Sequence, residues 1–290
     1  MGLRRSAVVD SEDIAALRRR ELEIPRGRAR ELGQSALRAI CEGWYPGPDG
    51  RPVDWRADVE KAVAAKLSLP PDAPLPPPTR ERAPETDVLV ANETTLGAAR
   101  RLGDAGLRTL SLNFANGVVP GGGFLGGARA QEETLCRSSA LFRMLEGDPM
   151  YDAHRDGAPG ESSDWVILSP DVPVFRRDDG SVAERWRTSF ATCAAPYAPH
   201  VGQPRSGDLL ARRIHRLLAV ARAYGFDALV LGAWGCGEFG NDPVRTARDF
   251  REALETEFAG AFRHVTFAIT DWSPDRRFLR PFRDAFSLRE

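Results

Sequence analysis

Leu110-Ser111-Leu112-Asn113-Phe114-Ala115-Asn116-Gly117-Val118-Val119-Pro120-Gly121-Gly122-Gly123-Phe124-Leu125-Gly126-Gly127-Ala128-Arg129-Ala130-Gln131-Glu132-Glu133 reads as a strand, a glycine-rich loop and the opening of a helix. The apolar run Leu110–Phe114 has strand length and ends on turn-forming residues. The loop spans 116–127, and a helix is expected to start near Arg129, with Gln131, Glu132 and Glu133 in its first turn. Glycine is required where backbone must approach a ligand closely or take positive φ. Unpaired N–H groups at the helix start then favour an anion.

A second stretch of the same kind follows the apolar run Ala228-Leu229-Val230-Leu231. Gly235-Cys236-Gly237-Glu238-Phe239-Gly240-Asn241 leads into a helix with Asp242 as N-cap and Pro243 at its first position. Both loops spell G-x-G-x-x-G, but neither ends in the G-K-[ST] of a triphosphate-binding loop. The first is set too far from its strand for the tight dinucleotide fingerprint, and the second has no acidic ribose ligand on a following strand. A Rossmann oxidoreductase is therefore disfavoured. Glu238 would repel a diphosphate held by its own loop, so its side chain is expected to face solvent.

Working outward, short apolar runs alternate with helical patterns from Asp87 onward. Val88–Ala91, Trp165–Leu168, part of Trp186–Cys193 and Val265–Ile269 are the further strands. The clearest helix carries Leu210, Ile214, Leu217, Leu218 and Ala221 on one face. Ser273-Pro274-Asp275 reads as a last helix start, followed by Phe278, Phe282 and Phe286 at core spacing. This alternation predicts an α/β domain over 85–290, with a sheet covered on both faces. Residues 1–84 read as a helical accessory region and a linker. The linker, 70–84, holds seven prolines and is expected to be an extended spacer.

The 40 basic and 41 acidic residues nearly cancel, which argues against a nucleic-acid coat protein and leaves room for a small anionic ligand held by backbone N–H groups. Cys41, Cys136, Cys193 and Cys236 are widely spaced, so neither zinc nor a disulfide framework is expected. No apolar stretch approaches membrane-span length. A reduced, cytoplasmic setting is expected, with no cofactor and no metal. His154, His200, His215 and His264 are scattered and read as structural or exposed.

Glu132 and Glu133 invite two readings. Carboxylates are stabilised at helix N-termini by the dipole. They also follow a loop suited to sugar and phosphate. Adjacent helix positions point about 100° apart, so the two cannot flank one bond from opposite sides as in two-carboxylate glycosidases. One should handle the proton, and the other should orient ribose hydroxyls or support structure.

Asn113-Phe114-Ala115-Asn116, Pro120-Gly121-Gly122-Gly123 and Gln131-Glu132-Glu133 together resemble the signature of bacterial-type poly(ADP-ribose) glycohydrolases. Trp234-Gly235-Cys236-Gly237 with Phe239-Gly240-Asn241 is similar to that family's second ligand loop, and Val90-Ala91-Asn92 with Thr94-Thr95-Leu96 is also similar. The resemblance covers roughly 30–285. It implies a macrodomain-like three-layer α/β/α fold with a mixed sheet, and hydrolysis of the ribose–ribose bonds of poly(ADP-ribose) from chain ends. It implies Glu133 as the catalytic acid/base, with Glu132 and Asn116 on the ribose hydroxyls. Gly121, Gly122 and Gly123 would lie near the distal ribose and diphosphate. Gly235, Gly237 and Gly240 would wrap the diphosphate, with Phe239 packed on the distal ribose. Gln131, Cys236 and Asn241 complete the expected substrate site.

The expected partners are ADP-ribose, its polymer and ADP-ribosylated macromolecules, bound by a monomer away from membranes. Two rivals use the same residues: an ADP-ribose reader without chemistry, which needs neither glutamate, and a hydrolase of single ADP-ribose units on protein or nucleic acid.

Overall fold

The computed structural model describes residues 2–5 and 8–286. The chain opens with β1 (Gly2–Arg5), α1 (Glu12–Leu22), α2 (Arg26–Glu42), β2 (Trp44–Pro46), β3 (Pro52–Asp54), α3 (Arg56–Ala65) and β4 (Leu67–Leu69). It continues with β5 (Glu85–Ala91), α4 (Thr95–Asp104), β6 (Thr109–Ala115), α5 (Gln131–Ser138), α6 (Leu141–Leu145), α7 (Pro149–Asp156), β7 (Val166–Arg176) and β8 (Val182–Ala194). The last part holds α8 (Ala198–Val201), α9 (Arg205–Ala223), β9 (Ala228–Leu231), α10 (Pro243–Glu255), β10 (His264–Ala268) and α11 (Leu279–Phe286).

Eight strands form one mixed sheet in the order β1-β5-β10-β9-β6-β8-β7-β4. Pairing is parallel from β1 through β8 and antiparallel for β8–β7 and β7–β4. Side chains alternate between the two faces, as strand pleating requires. Leu229 and Leu231 of β9 join the core built on α9, α10 and α11, while Ala228 and Val230 pack against Ala98, Ala99 and Leu102 of α4. A third core lies under α2, α3, α5 and α6, against Ile167, Val172, Val174 and Phe190. The sheet is thus covered on both faces, and no helix among the described residues is long and apolar enough to cross a membrane.

The division expected at residue 84 needs correction. α1–α3 are helical as read, but β1 and β4 also come from this region and form the two edges of the main sheet. Strands of four and three residues are too short to display periodicity. Between α2 and α3, the stretch 44–54 forms the β2–β3 hairpin. Nor is the proline-rich segment a loose spacer. Proline denies it a ladder of its own, and its carbonyls find donors elsewhere. Arg216 Nη2 donates to the carbonyls of Pro70 and Ala73 at 2.9 and 3.0 Å. Ala83 N–H donates to Gly260 O at 2.7 Å, and Leu75 packs on the main core. Arg176, buried at the end of β7, donates to Leu32 O, Arg137 O and Ser35 Oγ, and so ties α2 to the sheet and to α5.

α5 begins at Gln131, with Glu132 and Glu133 in its first turn as expected, after a separate 3₁₀ turn at Phe124–Gly126. One helix start differs from expectation. α11 begins at Leu279, because Asp271 accepts from the N–H groups of Phe278 and Leu279 and caps the helix there.

Candidate active site

β9 pairs with β6 only from Thr109 to Ser111, whereas β8 follows β6 through Ala115. Beyond Ser111 the sheet therefore splits between β6 and β9. Both glycine loops leave the carboxyl ends of these neighbouring parallel strands, where open α/β sheets form ligand crevices. One chamber of about 160 Å³ lies in the split, lined by Phe114, Asn116, Gln131, Glu132, Glu133, Trp234, Gly235, Gly237 and Phe239. It shares Phe114, Gln131, Ala233 and Gly237 with an adjoining pocket of about 440 Å³.

Gln131 fills the place that β9 vacates. Its amide oxygen accepts from Phe114 N–H at 2.9 Å, and its amide nitrogen donates to Leu112 O at 2.7 Å and Thr95 Oγ1 at 3.1 Å. A side-chain amide thus continues the strand ladder and anchors the start of α5. Gln131 lines the chamber, as expected of a site residue, but both ends of its amide are engaged by the protein. Gln131→Ala strands Phe114 N–H and Leu112 O, and chemical denaturation should show a loss of about 2–4 kcal/mol.

Glu132 is buried and committed to the same strand end. Its Oε2 accepts from Asn116 N–H at 2.7 Å, and its Oε1 from Asn113 Nδ2 at 3.2 Å. Asn116 in turn folds its Oδ1 onto the N–H groups of Val118 and Val119, which shapes the loop. Burial, the dominant effect, pushes the Glu132 carboxyl up to about 8; the neighbouring Glu133 adds to this, and the donors from Asn116 and Asn113 oppose it. The folded value thus lies above the unfolded value of 4.5, and between them the native state binds more protons. Glu132 accordingly contributes stability that is complete below pH 4.5 and is lost as pH rises toward 8. Its slope reaches about 1.4 kcal/mol per pH unit. Urea midpoints of wild type and Glu132→Gln across this range should differ by this limb, which the variant lacks.

Glu133 is held differently. Its Oε1 accepts from Gly123 N–H at 3.0 Å, and its Oε2 is buried with no hydrogen-bond partner. An unsatisfied carboxyl oxygen is costly and calls for an explanation at a site. Gly121, Gly122 and Gly123 lie behind this carboxylate rather than on the chamber wall. Gly122 has φ +56°, and a Cβ there would stand 2.3 Å from Glu133 Oε1.

The second loop presents backbone. Among the described residues, the N–H groups of Gly235, Gly237, Glu238 and Phe239 have no protein acceptor, whereas those of Cys236, Gly240 and Asn241 bond within the loop. Such a run of free N–H groups suits an anion. Gly235, at φ +73°, has no room for a side chain between Ala195 and Asn241. Glu238 is exposed to solvent and also stands at the chamber wall, between Gly237 and Phe239.

Cys236 and Asn241 do not line the chamber, contrary to expectation. The Cys236 thiol is buried and reaches Trp234 O, and burial raises it to about 12, which also removes it as a nucleophile. Asn241 spends its amide nitrogen on Pro196 O and Gly235 O, bracing the loop from inside. Gly240, at φ +67°, closes the turn behind them. Phe239 does face the chamber, its ring edge-on to half-exposed Tyr197 at 5.7 Å.

The adjoining pocket escaped sequence reading. Its wall includes Thr94, Asp178, Trp272 and Phe278, contributed by three separate segments, with Leu22 and Glu23 from the end of α1. Thr94 carried only a motif resemblance, Phe278 a spacing that pointed to the core, and Asp178 and Trp272 no pattern.

The model of the microbial-type PARG catalytic domain matches residues 33–177. Among solved structures, poly(ADP-ribose) glycohydrolase from Thermomonospora curvata is 39% identical, with 89% of this chain and 99% of that one covered at a TM-score of 0.84. The same enzyme bound to the inhibitor ADP-HPD is 38% identical over equal shares, at 0.82. Poly(ADP-ribose) glycohydrolase from Deinococcus radiodurans in complex with ADP-ribose is 37% identical over 78% of this chain and 96% of that one, at 0.71. No curated protein matches the chain. On the family model and on these identities over nearly whole chains, this protein belongs to the microbial-type poly(ADP-ribose) glycohydrolases.

Proposed function

We propose that the chain hydrolyses the ribose–ribose glycosidic bonds of poly(ADP-ribose), with Glu133 as the acid and base. The observation that carries this assignment is the unequal use of the two carboxylates. Both oxygens of Glu132 are bonded to the strand end, while Glu133 keeps one oxygen free of any partner. Glu133 then protonates the departing ribose oxygen of the preceding unit, and its carboxylate takes a proton from the attacking water. The free N–H groups at 235–239 hold the diphosphate, whose charge stabilises the oxocarbenium-like distal ribose. The aromatic pocket bounded by Trp272 and Phe278 takes the adenosine end. Leu22 and Glu23 wall that pocket from the accessory side, which favours removal of units from chain ends.

Three cysteines are buried free thiols, which suits a reducing cytoplasm. Polymer and a mono-ADP-ribosylated protein should be compared at equal ADP-ribose concentration. Rapid release from polymer and slow release from the mono-modified protein is expected; the reverse order would make this chain a hydrolase of single units.

A further inference from the structure

His154 is buried on α7, and both of its ring nitrogens are committed. Nδ1 lies 2.9 Å from Gly117 O, an acceptor only, so Nδ1 carries the proton. Nε2 then accepts, from Ser163 Oγ at 2.7 Å and from Ser163 N–H at 3.1 Å. The ring is therefore fixed as one neutral tautomer between the first glycine loop and the segment 157–164. That segment lies directly beneath the loop: a Cβ at Gly117 would stand 2.2 Å from Ser162 Oγ, and Ser162 itself takes φ +57°. From its other side the segment reaches the second loop. Gly160 O accepts from Tyr197 N–H at 2.7 Å, and Ala198 N–H donates to Phe239 O at 2.9 Å. Arg213 fixes the middle, donating to Glu161 O and to Ala194 O at the end of β8.

We propose that His154 is a positioning residue, which through Ser163 and the 157–164 segment sets the spacing between the two ligand loops and thereby places Asn116 and Glu132 around the chamber. Gly117 directly follows Asn116, whose N–H holds Glu132, so a shift of Gly117 is passed to the strand end that carries the carboxylates. Only the neutral ring can serve, because a charged imidazole has no acceptor for Ser163 N–H. Its surroundings keep it neutral. Burial lowers its pKa from the usual histidine value, and Arg213 on α9 adds repulsion. The carboxylates nearby are engaged elsewhere: Asp152 with Arg155 on its own helix, Glu161 with Arg205, and Asp164 with Arg212 and Arg213.

This inference rests on the polymer-hydrolase reading for its activity readout. The test compares wild type, His154→Ala and His154→Asn, each well below its melting temperature, for polymer kcat and KM, ADP-ribose affinity and pH profile. His154→Ala should lose about ten- to a hundredfold in kcat, the scale on which small misplacements act. His154→Asn keeps a donor for Gly117 O and should recover most of that loss. It should also lack the acid-side fall in kcat/KM that protonation of His154 gives the wild type. Wild-type kcat in folded His154→Ala with only a lower melting temperature, or an Asn variant no better than Ala, overturns the proposal. If wild type fails on polymer, the hydrolase reading is what falls; weaker ADP-ribose binding by His154→Ala than by His154→Asn then still supports the positioning role, and equal binding overturns it.

Discussion

Glu133→Gln should reduce polymer turnover by about a thousandfold or more, on the scale of losing the group that both gives and takes the proton. ADP-ribose affinity should stay within a few-fold of wild type. The substitution is nearly isosteric and keeps an oxygen for Gly123 N–H, the one bond the side chain makes. The amide can neither protonate a leaving oxygen nor activate water. Rate and affinity must therefore separate, by single-turnover hydrolysis on one side and calorimetry on the other. A parallel loss of both would assign Glu133 to binding. The reciprocal variant, Glu132→Gln, perturbs the strand end instead, because both oxygens of Glu132 are held there.

Gly122→Ala should also damage the rate, though less than Glu133→Gln, at a modest cost in stability. A left-handed conformation costs an alanine about 1–2 kcal/mol. The clash is with Glu133 Oε1 at 2.3 Å and Glu132 Oε2 at 3.1 Å, side-chain ends that can move aside. Relief by movement is itself the injury, since it displaces the carboxyl that must meet the scissile bond. A kcat loss of about a hundredfold is expected from such a displacement, together with a folded protein by circular dichroism. Gly126, where an added Cβ meets open space, is the control position.

These expectations rest on features that sequence displayed unevenly. β6 and β9 were legible because each apolar run ends on a glycine cluster, and the parallel alternation put both loops at one end of the sheet. What sequence could not display is the direction of side chains inside the loops. Gln131, Cys236 and Asn241 have residue types that suit a ligand, yet Gln131 continues the strand ladder and the other two turn inward. β1 and β4 were missed because three or four residues carry no period, and only tertiary pairing makes them strands. The wall of Thr94, Asp178, Trp272 and Phe278 joins residues nearly two hundred positions apart, with no local signature. His154 is similar. Nothing in Tyr151-Asp152-Ala153-His154 announces a ring fixed between two loops.

The most direct test of the account is digestion of end-labelled poly(ADP-ribose) by wild type and Glu133→Gln in parallel, with products resolved by chromatography. Free ADP-ribose accumulating from the start with wild type, and intact polymer with the variant, is the predicted result. Intact polymer with both proteins, each still binding ADP-ribose, would contradict the account and make the chamber a reader of ADP-ribose rather than a hydrolase site.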